Sequence, residues 1–311
     1  MNGLFKLYTP HGPVAAIERP TAVTVGVFDG VHRGHRALIQ KLSTFNLQLS
    51  TLVVTLTAHP SFVLGRRQSE YWLDDPEEHL QMLFDAGADY VAEMPFARDV
   101  AQLSACQLAR MMHECLGMQA LLLGYDGRFG SKQNDDFGQL PQLAAELRFD
   151  LLHGEPFLVE GMPISSSRIR ETLLQGAVGQ TADLMGRPYS VHGRVMHGRG
   201  VGRTLGFPTA NIDLSQTRKM LPKEGVYAVR LSTPHSPLST LVGMANLGAA
   251  PTFGIDKPTL EVHLLDFDGD LYGQTVDVQF LHRLRDIHRF DSAEELQAQL
   301  GHDIEQTRQW T

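Results

Sequence analysis

The hydrophobic pattern of this chain changes period near Gly186, and that change constrains the fold more than any other feature. Before it, apolar runs at Ala22–Phe28, Thr51–Leu56, Tyr90–Glu93 and Ala120–Leu123 alternate with helix-like segments near 35–45, 76–86, 104–116 and 138–147. Short apolar strands separated by helices build a parallel sheet covered on both faces. Within 104–116, Leu108, Met111, Met112 and Cys115 recur at spacings of three and four, and that stripe reads as core. After Gly186, glycine and proline recur every few residues, and VYAVRL, STLVGMANL, TLEVHLL and QTVDVQF alternate apolar with polar. Such segments are short antiparallel strands of a barrel or sandwich. Ser292 followed by Glu295, then Leu296, Leu300 and Ile304, predicts a closing helix with a capping box. The expectation is a doubly wound α/β domain over 1–185 and an antiparallel β-barrel with a carboxy-terminal helix over 186–311. A chain of 311 residues suits two cores, since single cores rarely grow beyond about 250–300 residues.

Charge and cysteine content narrow the partners. Residues 1–185 hold 14 basic and 21 acidic groups, and the remainder 13 and 14. Neither half offers the sustained positive field that a nucleic-acid or anionic-membrane binder needs. The segment Ser43–Gly65 lacks Asp, Glu, Lys and Arg, but Asn46, Gln48, His59 and Pro60 argue against a membrane span. The first residues, MNGLFKLYTP, show no secretory pattern. Cys106 and Cys115 lie nine positions apart in one helix-like stretch, so a disulfide framework is not expected; buried, inert thiols in a reducing, cytoplasmic setting are. The expected partners are small molecules, with the chain a monomer or weak homo-oligomer.

Two constellations carry chemistry. In TVGVFDGVHRGHRALI, an apolar strand runs into Asp29-Gly30, then His32-Arg33-Gly34-His35, then a helix. The histidines thus fall at a strand's carboxyl end and a helix's amino end, where ligands and phosphates bind. Two imidazoles three residues apart can reach a common phosphate and donate to charge developing on it. Metal ligation, or a merely polar helix start, fits the same residues. The GYDGRFG run, Gly124–Gly130, follows an apolar strand, and ISSSRIR, Ile164–Arg170, opens a helix with hydroxyls and two arginines. Hydroxyls and guanidinium groups there suit a triphosphate, while a surface turn and a serine cap are the plain alternatives.

The second constellation is an acid-free window between Asp183 and Asp213, in which GRVMHGRGVGRTLGFPTANI sets Gly198, Gly200, Gly202 and Gly206 among Arg199 and Arg203. Backbone donors of such a loop can wrap polyphosphate, although glycine-rich barrel turns are also common. It is not a Walker motif, because no Gly-Lys-Ser/Thr follows. In TLEVHLL, alternation points Glu261 and His263 to one face and Val262 and Leu264 to the other. Asp266, Asp268 and Asp270 lack the glycine position and bidentate glutamate of a calcium loop and read as a hairpin turn.

Over most of its length the chain resembles the bacterial bifunctional riboflavin kinase/FAD synthetases. GVFDGVHRGH is similar to that family's form of the nucleotidyltransferase HxGH signature. GYDGRFG and ISSSRIR follow where the family has them, and the PTAN string, LPKEGVYAV, GMANLGAAPTFG and LEVHLLDFDGDLYG resemble the kinase module in order. The resemblance implies a Rossmann-like adenylyltransferase making FAD from FMN, and a barrel kinase making FMN from riboflavin with Mg²⁺ and ATP. It implies that His32, His35 and Glu261 are catalytic. For adenylyl transfer it implies ATP contacts at Gly26, Phe28, Asp29, Gly34, Asp126, Ser165, Ser166, Ser167, Arg168 and Arg170, and flavin contacts at Pro60, Arg128 and Phe129. For the kinase it implies ATP contacts at Gly198, Arg199, Gly200, Gly202, Arg203, Gly206 and Pro208, metal ligation by Thr209 and Asn211, and flavin contacts at Asn246, Leu284, Arg285 and Phe290. Four positions depart from the family's usual residues: Gly127 for Phe, Gln133 for Arg, His79 for Lys and Ala250 for Arg. They bear on affinity and on the balance of activities. The competing readings are an adenylyltransferase with a non-catalytic flavin-binding barrel, and a flavin carrier or sensor.

Overall fold

The computed structural model describes residues 5–63, 65, 71–125, 129–131, 135–198, 202, 206–233, 236–249 and 258–310. The chain divides into two compact units, Met1–Ser166 and Ser167–Thr311.

In the first unit, β1 (Lys6–Thr9), β2 (Gly12–Val14), β3 (Thr21–Gly26), β4 (Ser50–Leu56), β5 (Tyr90–Met94), β6 (Met118–Leu123) and β7 (Asp150–His153) form one sheet in the order β2-β1-β5-β4-β3-β6-β7. The five strands from β5 to β7 in that order are parallel, and β1 and β2 add an antiparallel edge. Helices α1 (Arg33–Phe45), α2 (Pro60–Val63), α3 (Pro76–Asp85), α4 (Ala105–Leu116) and α5 (Leu140–Leu147) connect the strands. Side chains alternate between two cores. Val23, Leu52, Val54 and Leu121 pack with Ala105, Leu108, Ala109 and Met112 on one face. Val53 and Val91 pack with Ile39 and Leu83 on the other. From β3 the chain steps outward to β4 and β5, then returns to place β6 on the far side of β3. That reversal makes the carboxyl ends of β3 and β6 a topological switch point, the place where open α/β sheets bind ligands.

Three details differ from the sequence expectation. The strand expected to reach Phe28 stops at Gly26, because Phe28 takes a left-handed conformation with φ 50°. Cys115 is exposed and Cys106 partly so, since the inward arc of α4 is filled by Ala105, Leu108, Ala109, Met112 and Leu116. Strands β1, β2 and β7 were not legible, being four, three and four residues long. A small hairpin, β8 (Leu158–Val159) and β9 (Met162–Pro163), follows β7.

Helices α6 (Ser166–Gln175) and α7 (Val178–Met185) lead into the strands of the second unit. The Thr172 and Thr181 hydroxyls meet at 2.8 Å, and the Lys223 N–H donates to the Leu173 carbonyl at 2.9 Å, so both helices pack with the barrel. Strands β10 (Tyr189–Met196), β11 (Ala210–Asp213), β12 (Gly225–Thr233), β13 (Ser236–Ala249), β14 (Pro258–Leu264) and β15 (Thr275–Arg285) close in the order β10-β11-β14-β13-β12-β15. Every pairing is antiparallel, and β15 returns to β10. Tyr189, Val191, Tyr227, Leu260, Val262, Val278 and Phe280 fill the interior. The turn containing Asp266, Asp268 and Asp270 joins β14 to β15, and Asp266 pairs with Arg308 at 2.7 Å. In the terminal helix Ala293–Thr307, the Ser292 hydroxyl accepts the Glu295 N–H at 3.2 Å. Its buried residues are Asp303 and Thr307, while Leu296, Leu300 and Ile304 are only partly covered. Among the described residues no helix is long and apolar enough to cross a membrane.

Candidate active sites

The turn between β3 and α1 is an unusual backbone. Phe28, Gly30 and Val31 have φ of 50°, 83° and 33°. A positive φ at β-branched Val31 is strained, and such strain persists only where surroundings over-determine it. Here they do. The Val31 N–H donates to the Phe28 carbonyl at 2.8 Å, and Val31 is fully buried. The Gly30 N–H donates to Asp74 Oδ2 at 3.0 Å, and the Asp29 carboxylate accepts the Leu73 N–H at 2.7 Å. The Thr55 hydroxyl donates to the Val27 carbonyl at 3.2 Å, and the Ser166 hydroxyl to the Asp29 carbonyl at 2.9 Å. Gly30 is required twice over, by its φ and because a Cβ would lie 2.9 Å from Leu73 Cδ1.

The turn delivers His32 and His35 side by side. His32 is the N-cap of α1: its Nδ1 accepts the His35 N–H at 3.3 Å. An accepting Nδ1 puts the proton of the neutral ring on Nε2. The two rings stack with centroids 3.6 Å apart, and the Phe28 ring meets His35 edge-on at 5.2 Å. Glycine makes the room for both. A Cβ on Gly34 would crowd the His32 ring at 3.2 Å, and one on Gly26 would crowd the Phe28 ring at 3.1 Å. Burial, together with the neighbouring His32 and His79, pushes His35 well below the ordinary imidazole range, against the opposing effect of a hydrogen bond to the Phe28 carbonyl. His35 is therefore neutral near pH 7, and among the described residues its buried Nδ1 has no partner.

Beyond β6, Phe129 and Gly130 pack against the rest of the first unit. Phe129 is buried with the α4 core, so its ring anchors this loop. Gly130 (φ 83°) lies so close to α4 that a Cβ would sit 2.3 Å from the Ala105 nitrogen, and the Ser131 N–H donates to the Leu103 carbonyl at 2.8 Å. Asp126 and Arg128, with Gly127 and Gln133, lie outside the described residues. Pro60 is the first residue of α2. Ser165 and Ser166 are partly buried, and α6 continues through Ser167, Arg168 and a buried Arg170 in the second unit.

In the barrel, register assembles the second site. Asn211 on β11 pairs with Glu261 on β14, and Glu261 pairs with Asn246 on β13. Directly opposed residues share a face with Cβ atoms about 4.5–5.5 Å apart, so the three form one polar row. The row lies on the outer face, since Val262, Leu260, Ala245 and Leu247 beside it are buried in the interior. His263 Nδ1 lies 2.8 Å from the Pro208 carbonyl and its ring meets Phe207 edge-on at 5.6 Å, which ties the Pro208-Thr209 segment to β14. Gly198 leaves space for the Asn211 side chain, because a Cβ there would lie 2.1 Å from Nδ2. Gly202 closes the loop by accepting the Phe207 N–H at 2.8 Å, and Gly206 turns it with φ 87°. Arg199, Gly200, Arg203 and Ala250 lie outside the described residues.

Of the expected flavin contacts, Asn246 is exposed in the polar row, and Leu284 is half-buried at the end of β15. The Arg285 guanidinium is engaged elsewhere: Nε and Nη2 grip the buried Asp303 carboxylate at 3.0 and 2.7 Å, and Nη1 donates to the Asp286 carbonyl at 3.1 Å. It also lies over the Phe290 ring at 5.7 Å. Arg285 is thus the clamp between β15, the 286–290 segment and the terminal helix. Asp74, Thr55 and His263 were missed as site residues. Asp74 precedes Asp75-Pro76 and reads as part of an ordinary helix start, and nothing local in the sequence ties it to Gly30.

Comparison with known proteins finds two family matches along the chain. The FAD synthetase family profile matches residues 14–168 and the riboflavin kinase profile residues 185–311. A curated relative from Escherichia coli (strain K12), the bifunctional riboflavin kinase/FMN adenylyltransferase, is 36% identical over 94% of this chain and 93% of its own. One of the same description from Pseudomonas fluorescens is 32% identical over 99% and 96%. A crystal structure described as a macrolide-efflux protein from Streptococcus pneumoniae superposes with a TM-score of 0.86 at 30% identity, covering 95% of this chain and 96% of that one.

Proposed function

The chain belongs to the bifunctional riboflavin kinase/FMN adenylyltransferase family, and on that premise we propose how its residues divide the chemistry. It phosphorylates riboflavin to FMN and adenylylates FMN to FAD, with ATP as donor in both reactions. Residues 1–185 carry adenylyl transfer, and residues 186–311 carry the kinase. A cytoplasmic setting fits the free thiols of Cys106 and Cys115.

In adenylyl transfer an FMN phosphate oxygen attacks the α-phosphorus of ATP, and the bond to the leaving pyrophosphate breaks. No covalent enzyme intermediate is required; positioning and charge compensation do most of the work. His35 suits this task because it is neutral before substrate arrives. A phosphate anion beside it favours its charged form, so the stacked ring takes up positive charge as substrate binds. Ser165 and Ser166 supply hydroxyls to the phosphates. Phe129 supports the flavin side as a loop anchor.

In the kinase, the observation that carries the reading is the Asn211–Glu261–Asn246 row. Glu261 accepts the proton of the riboflavin 5′-hydroxyl as that oxygen bonds to the γ-phosphorus and ADP leaves. The Thr209 hydroxyl and Asn211 carboxamide oxygen, hard neutral donors, would hold Mg²⁺, and the space left by Gly198 keeps Asn211 unobstructed. Bound Mg²⁺ supplies charge compensation for the phosphates. Asn246 orients the flavin from the other side of Glu261. The test is Glu261→Gln: FMN formation should fall at least about 100-fold, as expected for loss of a general base, while conversion of supplied FMN to FAD continues. Loss of both activities, or retention of FMN formation, would remove Glu261 from this role.

A further inference from the structure

We propose that His79 is a positioning residue for adenylyl transfer, binding through Asp74 and Thr55 to both sides of the turn that carries His32 and His35. The proposal rests on the site assignment above. His79, in α3, is nearly buried, with its side chain 13% exposed, and Asp74 is 1% exposed. Its Nδ1 lies 3.0 Å from Asp74 Oδ2, the same oxygen that accepts the Gly30 N–H at 3.0 Å. Its Nε2 lies 2.9 Å from the Thr55 hydroxyl, which donates to the Val27 carbonyl at 3.2 Å. One ring therefore connects the residue entering the turn with the residue at its apex.

Counting protons shows which form of the ring completes the chain. Thr55 has a single hydroxyl proton and gives it to Val27, so it can only accept from His79. Asp74 is an acceptor, so Nδ1 must donate as well. Both ring nitrogens carry protons only in the imidazolium. A neutral ring must either leave one link unmade or turn the Thr55 proton inward and release the Val27 carbonyl. The groups facing His79 favour the charged ring: Asp74 before α3, Asp29 in the turn and Glu93 on β5, with neutral His35 on α1. Glu78, on its own helix, is turned to the Asp75 N–H at 3.3 Å. Burial lowers the affinity of His79 for a proton, but hydrogen bonding to Asp74 and these carboxylates outweigh it, and the net shift is upward.

As pH rises through the His79 titration, the turn loses one tether and FAD formation should decline while FMN formation does not. The full chain tests this in two ways. In wild-type protein followed by NMR, the Gly30 amide resonance should move with the same midpoint as the His79 ring. In kinetics on supplied FMN and Mg²⁺-ATP, His79→Gln should lower kcat/KM for FMN in FAD formation about tenfold at neutral pH, the effect of losing one charged hydrogen bond. His79→Lys, which keeps a charge and its donors, should retain activity and lose the alkaline decline. FMN formation by the same samples reports on folding. A Gly30 resonance that stays still while His79 titrates overturns the proposal, as do superimposable FAD-forming pH profiles for wild type and His79→Gln. Wild-type protein that makes no FAD would instead refute the site assignment on which this rests.

Discussion

His35 feels the charge of His79, and the two are driven in opposite directions. Burial lowers His35, so its folded form binds a proton less readily than the unfolded chain. Between the two titrations the unfolded state holds more protons, and stability falls as pH drops below about 6.5. His79 is raised. Its contribution is complete below about 6.5 and is lost as pH climbs through its folded-state value. Urea unfolding from pH 5 to 9 should show the first unit weakening at both ends, and His35→Gln should flatten the acid side only. At this scale the sequence made the chemistry legible wherever residues adjoin: the strand, the glycine turn and the paired imidazoles lie within TVGVFDGVHRGH. It hid the groups that hold them. Asp74 acts on Gly30 from 44 positions away, and no periodicity encodes that distance.

Elements hold these residues by close backbone approach and by buried ion pairs. Gly130 lies against the first turn of α4, with no room for a Cβ beside the Ala105 nitrogen. Gly130→Ala must displace backbone, so a loss of about 1–3 kcal/mol in stability and reduced FAD formation are expected, measured by thermal unfolding and product assay. In the barrel, Asp303 is buried beneath the Arg285 guanidinium. Asp303→Ala leaves that charge without its partner and should cost about 2–4 kcal/mol, the lower part of the usual range because Arg285 is partly exposed. It should also raise the KM for riboflavin more than it lowers kcat, since the 286–290 segment is tethered through the same arginine. The terminal helix was recognisable from Ser292 and its apolar stripe. That it buries an aspartate was not, because the partner lies on β15.

Across the whole molecule, two folds with different periods carry two phosphoryl chemistries in one chain. The parallel sheet concentrates its motifs at the point where strand order reverses, and the barrel concentrates its own on a polar row facing outward. Both placements follow from topology: strand order was not written in any single motif, but the alternation that aligned Glu261 opposite its core neighbours was. Because His32 and His35 lie in the first unit and Glu261 in the second, damage to one catalytic set should spare the other. The most direct test is a time course from riboflavin with Mg²⁺-ATP, comparing wild type, Glu261→Gln and the double variant His32→Ala with His35→Ala. Wild type should form FMN and then FAD, Glu261→Gln should form neither from riboflavin yet convert supplied FMN to FAD, and the histidine variant should stop at FMN. Loss of both activities in either variant, or wild type that accumulates FMN without FAD, would contradict the account.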